Sequence, residues 1–389
     1  MDKNARLGMG LVGPGFISTH HIDAVRRLGN VDVIGIVGMD LAESQRKAAE
    51  YSVPRAYANF NDLIADPDIH VVHNTTPSHL HFPVSLAALK AGKHVLSEKP
   101  LALDAAQCKQ LRDAAASAGV VNAVMFNYRG NPLVQQARAM IAAGDIGPLV
   151  YIHGHYLQDW MTDENVYSWR SDPKQGGASC ALADIGSHWC NLAEHVTGLR
   201  IEAVLADLDT VVKTRYTTGN VYGAFQAGAT GERQAIPMVS EDLASVLLRF
   251  EDGTKGCLKV GQVLPGHKNE LELEINGRAA SLRWNQETQN ELWIGREGEP
   301  NQIMGKNPSL MLPEARAYAH LPGGHQEGWA DAFGNVIADV YRWIRMGANG
   351  TPRPSTACSF ADATHISQII EAMLSSNEQG GVWTQVAAD

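Results

Sequence analysis

The stretch LGMGLVGPGFIS, residues 7–18, decides the fold of this chain. An apolar run ends there at glycines, and an amphipathic segment follows. A parallel strand that stops at glycines and turns into a helix points the first N–H groups of that helix outward. Together with the helix dipole, they form an anion site suited to a dinucleotide pyrophosphate. Gly13 allows the tight turn, Gly15 lets a phosphate approach the backbone, and Ser18 is small enough for helix–strand packing.

A second apolar run, VDVIGIVG at residues 31–38, leads to Asp40, which lies 22 residues after Ser18. At that distance a carboxylate is expected to accept hydrogen bonds from the adenosine ribose hydroxyls. The same carboxylate would repel a 2′-phosphate, so Asp40 favours NAD over NADP. The alternative is an ordinary strand–helix–strand unit in which Asp40 only caps the second helix.

Length and composition limit the class of protein. A chain of 389 residues should hold about two domains, and its 44 % hydrophobic and 19 % charged residues are typical of a globular protein. The net charge of −10 argues against nonspecific binding to nucleic acid or to anionic membranes. The five cysteines are scattered without CxxC spacing, which predicts reduced thiols in the cytoplasm. We also expect no removable signal sequence, because the N-terminus leads directly into the glycine turn.

The pattern of apolar runs changes near residue 130. Before it, short apolar runs alternate with helical patterns, which predicts an α/β domain, a Rossmann-type doubly wound parallel sheet, over residues 1–130. After it come long alternating runs, linked by the hairpin dipeptides at residues 252–253 and 276–277. These predict an α+β domain with a large, mostly antiparallel, open sheet over residues 131–389. Residues 213–237 read as a long loop or lid.

Ligands of a doubly wound sheet bind at the carboxyl ends of its strands. Three such ends carry polar side chains: TTPSHLH at residues 75–81, SEKP at 97–100 and NYR at 127–129. Lys99 follows an apolar strand directly, with a glutamate before it and a proline after it, which predicts a position in the ligand cleft. The alternative is a solvated ion pair stiffened by the proline.

The segment Gly176–Gly198 contains Asp184 and His188, which are four residues apart and would share one face of a helix. An imidazole beside a carboxylate forms a general base held in one tautomer if both face the cofactor. The alternative is that Asp184 caps the helix and His188 is packed in the core. Gly186, which would weaken an ordinary helix, indicates a close approach by another group, such as a substrate. The neighbouring cysteines and histidine match no closed ligand set, so we expect no metal site.

The motifs GPGFIS, TTPSHLH, GKHVLSEKPLA and DIGSHW, in this order and spacing, resemble those of the Gfo/Idh/MocA oxidoreductases. The resemblance covers nearly the whole chain and is strongest over residues 8–198. It implies that Lys99, Asp184 and His188 act together beside the nicotinamide, and that the protein is a homodimer or homotetramer. The open sheet face of the second domain is the expected oligomer surface. Together, the motifs and the resemblance predict these cofactor-binding residues: Gly13, Gly15, Phe16, Ile17, Asp40, Thr75, Thr76, Pro77, His81, Glu98, Lys99, Asn127, Trp169 and Arg170.

HYLQDW at residues 155–160, SWR at 168–170 and GHQEG at 324–328 resemble members of the family that act on pyranose sugars or their anhydro derivatives. We therefore expect a small carbohydrate or polyol substrate and neither nucleic acid nor a membrane as partner. The predicted substrate-binding residues are Tyr128, Arg129, Gln158, Asp159, Asp184, His188 and His325. The alternatives are that the aromatic residues of HYLQDW pack on the sheet and that His325 begins a helix.

The predicted reaction is oxidation of a secondary alcohol of a pyranose, an anhydrosugar or a cyclic polyol by hydride transfer to NAD. His188 would accept the hydroxyl proton, Asp184 would orient the imidazole, and Lys99 would donate to the developing alkoxide. Three alternatives remain open: an NAD-retaining glycosidase or lyase that oxidises its sugar transiently, an NADPH-dependent sugar reductase, and a nucleotide-sensing protein without turnover.

Overall fold

The computed structural model describes residues 6–217, 233–350 and 352–388. The chain divides into two compact units, each formed by two segments: Met1–Gly130 with Trp329–His365, and Asn131–Gly328 with Ile366–Asp389. The first unit thus contains a late segment that the sequence assigned to the second domain.

The first unit contains a six-stranded sheet, whose strands are β1 (Leu7–Val12), β2 (Val31–Val37), β3 (Arg55–Ala56), β4 (Val71–Asn74), β5 (His94–Ser97) and β6 (Asn122–Val124). The helices between them are α1 (Ser18–Arg27), α2 (Leu41–Glu50), α3 (Phe60–Ala65), α4 (Ser78–Lys90) and α5 (Ala105–Ala118). The strand order is β3-β2-β1-β4-β5-β6, and its neighbouring pairs are parallel. This is the Rossmann order, so the predicted doubly wound sheet is confirmed. The order reverses between β1 and β4, and ligands bind at that crevice in such sheets.

The second unit contains a nine-stranded sheet and a separate two-stranded ribbon. Its strands are β7 (Leu149–Leu157), β8 (Ile201–Asp209), β9 (Thr214–Thr217), β10 (Gln234–Pro237), β11 (Leu243–Phe250), β12 (Lys255–Gly261), β13 (Glu270–Gly277), β14 (Ser281–Asn285), β15 (Glu291–Gly295), β16 (Gln302–Gly305) and β17 (Thr384–Gln385). Its helices are α6 (Pro132–Ala142), α7 (Pro173–Gly176), α8 (Ser187–Thr197) and α9 (Pro313–Arg316). The large sheet has the order β16-β15-β14-β13-β7-β12-β11-β8-β17, with β7 and β12 parallel and the other neighbours antiparallel. The predicted large, mostly antiparallel sheet is confirmed.

The segment predicted as a loop or lid is only partly described. Its two ends, at residues 214–217 and 234–237, are the strands β9 and β10, which pair as an antiparallel ribbon. This corrects the prediction of a loop at both ends. Residues 218–232, on which the prediction of a lid depends, lie outside the described residues.

Two long helices close the chain, α10 (Trp329–Met346) and α11 (Phe360–Glu378). The apolar side of α10 is buried in the core of the first unit, where Phe333, Val336 and Ile337 join Met9 and Ile22. A helix with one apolar stripe must bury it, but the stripe does not identify the core that it covers. That is why the sequence assigned this helix to the second domain. Among the described residues, no helix is long and apolar enough to cross a membrane.

Candidate active site

The glycine turn after β1 leads into α1, which begins at Ser18. Gly13 has a φ of +94°, and a Cβ there would lie 2.7 Å from the backbone nitrogen of Thr76, so this position requires glycine. A Cβ on Gly15 would meet no described atom within 4 Å beyond its chain neighbours. The Ser18 hydroxyl donates a hydrogen bond of 2.5 Å to the Gly15 carbonyl. The turn thus leaves open space at Gly15 beside the start of a helix, which fits a dinucleotide pyrophosphate.

Asp40 is exposed and lies at the N-cap of α2. Its Oδ1 accepts a hydrogen bond of 2.8 Å from the Glu43 backbone N–H. Because each carboxylate oxygen can accept more than one hydrogen bond, capping is compatible with binding ribose hydroxyls. The predicted neighbours in the glycine turn differ in exposure: Phe16 is 76 % exposed, and Ile17 is half-buried at the N-cap position of α1.

Two threonines follow β4, and the first of them, Thr75, holds the glycine turn in shape. The Thr75 hydroxyl donates to the carbonyls of Val12 and Gly13, at 3.0 and 2.7 Å. The Thr76 hydroxyl donates to Oδ1 of Asn74 at 2.7 Å. Both hydroxyl hydrogens are therefore used inside the protein, and a cofactor could be bound only through the oxygen lone pairs or the backbone.

His81 was predicted to bind the cofactor, but the structure gives its ring another role. Its Nδ1 lies 2.6 Å from the Pro100 carbonyl, and its Nε2 lies 2.8 Å from the Thr76 carbonyl. The side chain is buried, and burial lowers the pKa of His81 from its ordinary value. Both ring nitrogens thus face protein oxygens, so His81 links the turn after β4 to the turn after β5. Pro77, which directly follows Thr76, occupies the N-cap position of α4.

Glu98 and Lys99 follow β5 directly, at the carboxyl end of the parallel sheet. The Glu98 N–H donates to the Asn74 carbonyl at 2.9 Å, which ties this turn to the end of β4. Its Oε2 accepts from the Lys99 backbone N–H at 3.2 Å, and its Oε1 lies 3.1 Å from Nε2 of His21. The Glu98 side chain is only 12 % exposed. This argues against the alternative of a solvated ion pair.

A short 3₁₀ turn, Asn127–Gly130, follows β6 and carries three predicted site residues. Asn127, Tyr128 and Arg129 are all buried. Within the described part of the chain, the Nδ2 atom of Asn127 is buried without a hydrogen-bond partner. A buried donor of this kind is costly unless a ligand or water completes it. It therefore fits a bound group at the carboxyl end of the sheet.

Asp184 lies in a π-helical turn, Leu182–Gly186, that runs into α8. Its Oδ1 accepts from Nε of Arg170 at 3.2 Å, and its Oδ2 accepts from Nε2 of Gln262 at 2.8 Å. Neither this turn nor α8 has a side-chain cap, so the alternative of Asp184 as a helix cap is wrong. His188 follows on α8 and is 7 % exposed.

The side chains around this pair explain its local geometry. The His188 ring lies edge-on to the Tyr156 ring, with 6.2 Å between centroids. A Cβ on Gly186 would lie 3.2 Å from the Leu182 side chain and 3.4 Å from that of Val260. The close approach predicted at this glycine is therefore made by the protein's own side chains, not by a substrate.

Glu241 holds the turn that carries Asp184, and sequence reasoning missed it. Its Oε1 accepts hydrogen bonds from the Ser179 hydroxyl at 2.7 Å and from the N–H groups of Cys180 and Leu182 at 3.0 and 2.9 Å. Burial raises the pKa of Glu241, and these hydrogen bonds oppose the shift. Nothing in the sequence around Glu241 indicates this contact, because it depends on the fold of the sheet.

Trp169 and Arg170 form another 3₁₀ turn, Trp169–Ser171. The Arg170 guanidinium carbon lies 4.5 Å from the centroid of the Trp169 ring, in a cation–π contact. Because Arg170 also binds Asp184, it connects a predicted cofactor-binding residue to a predicted catalytic one. Their contact with the cofactor stays a prediction.

Two predicted sugar-binding side chains, Gln158 and Asp159, make hydrogen bonds to protein groups. Nε2 of Gln158 donates to Oδ1 of Asn269 at 2.9 Å, and its Oε1 accepts from the indole of Trp160 at 2.8 Å. Asp159 accepts from the Lys268 ammonium, and this hydrogen bond lowers the pKa of Asp159. Gln158 is buried with its amide donating and accepting inside the protein, so the structure does not support the prediction that it binds substrate.

His325 is exposed, with Nδ1 3.4 Å from the Gly323 carbonyl. It lies four residues before α10 begins at Trp329, so the alternative that it starts that helix is wrong. Its predicted contact with substrate stays a prediction.

Comparison with known proteins agrees with this architecture. Residues 7–127 match the model of an oxidoreductase family with an NAD-binding Rossmann fold, and residues 134–283 match that of the GFO/IDH/MocA C-terminal domain. Levoglucosan dehydrogenase of Pseudarthrobacter phenanthrenivorans is 32 % identical over 299 residues, which are 74 % of this chain and 76 % of that protein.

Solved structures extend the similarity to both units. A levoglucosan dehydrogenase in complex with NADH and L-sorbose has a TM-score of 0.88 at 28 % identity, covering 99 % of this chain and 100 % of the other. An inositol dehydrogenase homologue from Azotobacter vinelandii, complexed with NAD⁺, has a TM-score of 0.86 at 25 % identity, covering 98 % and 97 %.

Proposed function

This chain belongs to the Gfo/Idh/MocA family of NAD-binding oxidoreductases, and we propose that it oxidises a secondary alcohol of a pyranose, an anhydrosugar or a cyclic polyol. The observation that carries this proposal is the similarity to a levoglucosan dehydrogenase along 99 % of the chain. Levoglucosan is an anhydrosugar. A relative named for inositol, a cyclic polyol, is 35 % identical over 154 residues. The chemistry shared by the two substrates is a secondary hydroxyl on a saturated ring.

The first unit fits NAD. The open space at Gly15 suits a pyrophosphate, and the unpartnered buried donor of Asn127 suits a polar group of a ligand. Bound NAD supplies the hydride acceptor. The carboxylate of Asp40 would accept the ribose hydroxyls and repel a 2′-phosphate, which favours NAD over NADP and argues against an NADPH-dependent reductase.

His188 is proposed as the general base that accepts the hydroxyl proton. Its burial on α8 supports this role, since a shielded imidazole transfers a proton without competition from water. Asp184 is proposed to orient the imidazole. The hydrogen bonds from Arg170 and Gln262 keep the Asp184 carboxylate in one orientation. A group that positions another side chain must itself be held in place.

Lys99 is proposed to donate to the alkoxide that develops as the hydroxyl loses its proton. Its position directly after β5 supports this role, because the carboxyl ends of parallel strands are where ligands bind. Tyr128, Arg129, Asp159 and His325 stay proposed contacts of the sugar hydroxyls.

The proposal is tested by measuring whether the purified protein oxidises candidate sugars and polyols. Levoglucosan, glucose and myo-inositol would each be supplied with NAD or NADP, and NADH or NADPH would be followed at 340 nm. We expect NADH with one class of substrate, and a kcat lower by about 10²–10⁴ in His188→Asn. His195→Asn, on the same helix, is the matched control and should stay active. Wild-type activity in His188→Asn would contradict the assigned base.

The oligomer is a separate proposal. We infer a homodimer or homotetramer that covers the half-exposed face of the large sheet, on which Tyr151, His153, Glu272 and Trp293 lie. Light scattering on a size-exclusion column measures the mass directly. A monomer at micromolar concentration would contradict this proposal without affecting the proposed reaction.

A further inference from the structure

Four polar side chains, from three elements and one turn, meet in the interior of the first unit. His21 lies on α1, His73 on β4, Tyr341 on α10, and Glu98 directly after β5. Nε2 of His21 is 3.1 Å from Oε1 of Glu98, and its Nδ1 is 2.9 Å from Nδ1 of His73. Nε2 of His73 is 3.1 Å from the Tyr341 hydroxyl. The side chains form an unbranched chain that ends on Glu98.

The hydrogen-bonded residues Tyr341, His73 and His21 are shielded from water. His21 and His73 are fully buried, and Tyr341 is 2 % exposed. The Phe333 ring packs edge-on against His21, with 5.0 Å between centroids. In such surroundings every polar atom must find its partner within the protein. Burial lowers the pKa of His73 well below its ordinary value, so the His73 ring is neutral at pH 7.

The hydrogen bonds can be assigned a direction. A neutral imidazole has one N–H donor and one acceptor nitrogen, and the contact between the two Nδ1 atoms needs one of each. If Tyr341 donates to Nε2 of His73, then His73 must donate from Nδ1 to His21. His21 must then donate from Nε2 to Glu98. All three hydrogen bonds are made with both rings neutral and Glu98 ionised.

If the hydrogen bonds ran in the opposite direction, a polar group would lose its partner at each end of the series. His73 would donate from Nε2 to Tyr341, and the phenol hydrogen would need another acceptor. Among the described residues, His73 is the hydrogen-bond partner recorded for the Tyr341 hydroxyl. At the other end a neutral His21 would present a bare Nε2 to Glu98, which would have to carry a proton. Each failure costs the desolvation of a buried polar group or charge.

We propose that Tyr341, His73 and His21 form a one-directional hydrogen-bonded chain that holds Glu98 as an ionised, oriented carboxylate. The second oxygen of Glu98 accepts from the Lys99 N–H, so the chain also holds the turn that carries Lys99. The three residues are positioning residues, since they act through Glu98. Their catalytic effect rests on the proposed function.

NMR of the full-length protein labelled with ¹⁵N-histidine tests the direction without any turnover. The tautomers expected are Nδ1–H for His73 and Nε2–H for His21, both neutral at pH 7. Nε2–H on His73, or an imidazolium at His21, would overturn the proposal. The assignments come from His73→Asn and His21→Asn, each of which removes one set of signals.

Tyr341→Phe removes the donor that sets the direction, and Tyr318→Phe is the matched control. In Tyr341→Phe we expect both tautomers of His73 and a kcat lower on the order of tenfold, with the KM for sugar little changed. If the wild type showed the expected tautomers but Tyr341→Phe kept the wild-type kcat, the positioning role would be overturned. An inactive wild-type protein with the expected tautomers would contradict only the proposed function.

Discussion

The side-chain amide of Gln262 donates a hydrogen bond of 2.8 Å to Oδ2 of Asp184, across 78 residues of chain. Gln262 is completely buried and directly follows β12. Its Oε1 lies 3.7 Å from Sγ of Cys180, which agrees with the amide nitrogen facing Asp184. Burial raises the pKa of the Cys180 thiol to about 12, so the sulfur keeps its hydrogen and can act as the donor. Gln262 thus controls the orientation of the carboxylate next to the proposed base.

Replacing this amide tests whether the orientation of Asp184 matters. In Gln262→Leu the carboxylate loses the hydrogen bond to its Oδ2, and we expect kcat to fall by about 10- to 100-fold. Gln286→Leu, which also removes a buried amide from the second unit, is the control. Equal activity of the two variants would show that Gln262 has no part in catalysis.

Asp184 and His188 could be found in the sequence, because a spacing of four residues and a motif are both local. Gln262 and Glu241 could not, since each reaches the turn at Asp184 only through the folded sheet. The same limit explains Gln158. Its partner Asn269 is 111 residues away, and the sequence does not reveal that the amide is already bonded.

The strands of the first unit could be predicted closely. The strands Leu7–Val12 and Val31–Val37 lie in the two apolar runs from which the parallel sheet is predicted, because apolar runs that end at turn residues are a local signal. The β-strands at Arg55–Ala56 and Thr384–Gln385 could not be predicted in this way. Each has two residues, which is too short for any periodicity to show.

The charge of Asp40 can be separated from its role as a helix cap. Asparagine also caps helices well, so Asp40→Asn should keep α2 stable and lose only the repulsion of a 2′-phosphate. We expect the preference for NAD over NADP, measured as the ratio of kcat/KM values, to fall by at least about tenfold. Asp40→Ala should in addition lower stability by about 1 kcal/mol. An unchanged cofactor preference in Asp40→Asn would contradict the ribose contact.

The ion pair of Lys306 and Glu327 is almost fully buried, at 2 % and 1 % exposure. Glu327 also accepts from the His320 N–H at 2.7 Å. Lys306→Met would leave a buried carboxylate without its cation, and we expect a loss of about 3–5 kcal/mol in the free energy of unfolding. Urea denaturation measures this loss.

Two controls accompany that measurement. The double variant Lys306→Met/Glu327→Gln removes the uncompensated charge and should be more stable than Lys306→Met alone. Lys213→Met breaks an exposed ion pair with Asp209, which solvent screens, and should change the stability far less than Lys306→Met does. If Lys306→Met were as mild as Lys213→Met, the buried pair would not stabilise the fold.

The ionisation of His153 predicts that the stability of the protein depends on pH. The Glu274 carboxylate, whose Oε1 lies 3.6 Å from Nε2 of His153, raises the pKa of His153 above its ordinary value of 6.5. The stabilisation is therefore complete below pH 6.5 and is lost as the pH rises through the folded-state value. The side chain is about one-third exposed, so the contribution is at most about 1 kcal/mol.

We expect Glu274→Gln to lower the pKa of His153 in an NMR titration and to reduce the difference in urea midpoint between pH 6 and pH 8. Glu291→Gln, on an exposed position of β15, should change neither quantity. A pKa of His153 that is the same in Glu274→Gln and in the wild type would rule out Glu274 as the cause of the shift.

The stoichiometry of the reaction tests the central claim most directly. The purified protein would be incubated with excess NAD and the sugar that it consumes, and NADH, keto-sugar and any cleaved product would be quantified over time. A dehydrogenase forms NADH and keto-sugar in equal amounts, in proportion to the sugar consumed, and that is the expected result. Consumption of sugar with cleavage of its glycosidic bond and no net NADH would contradict it, because NAD would then be regenerated in every cycle.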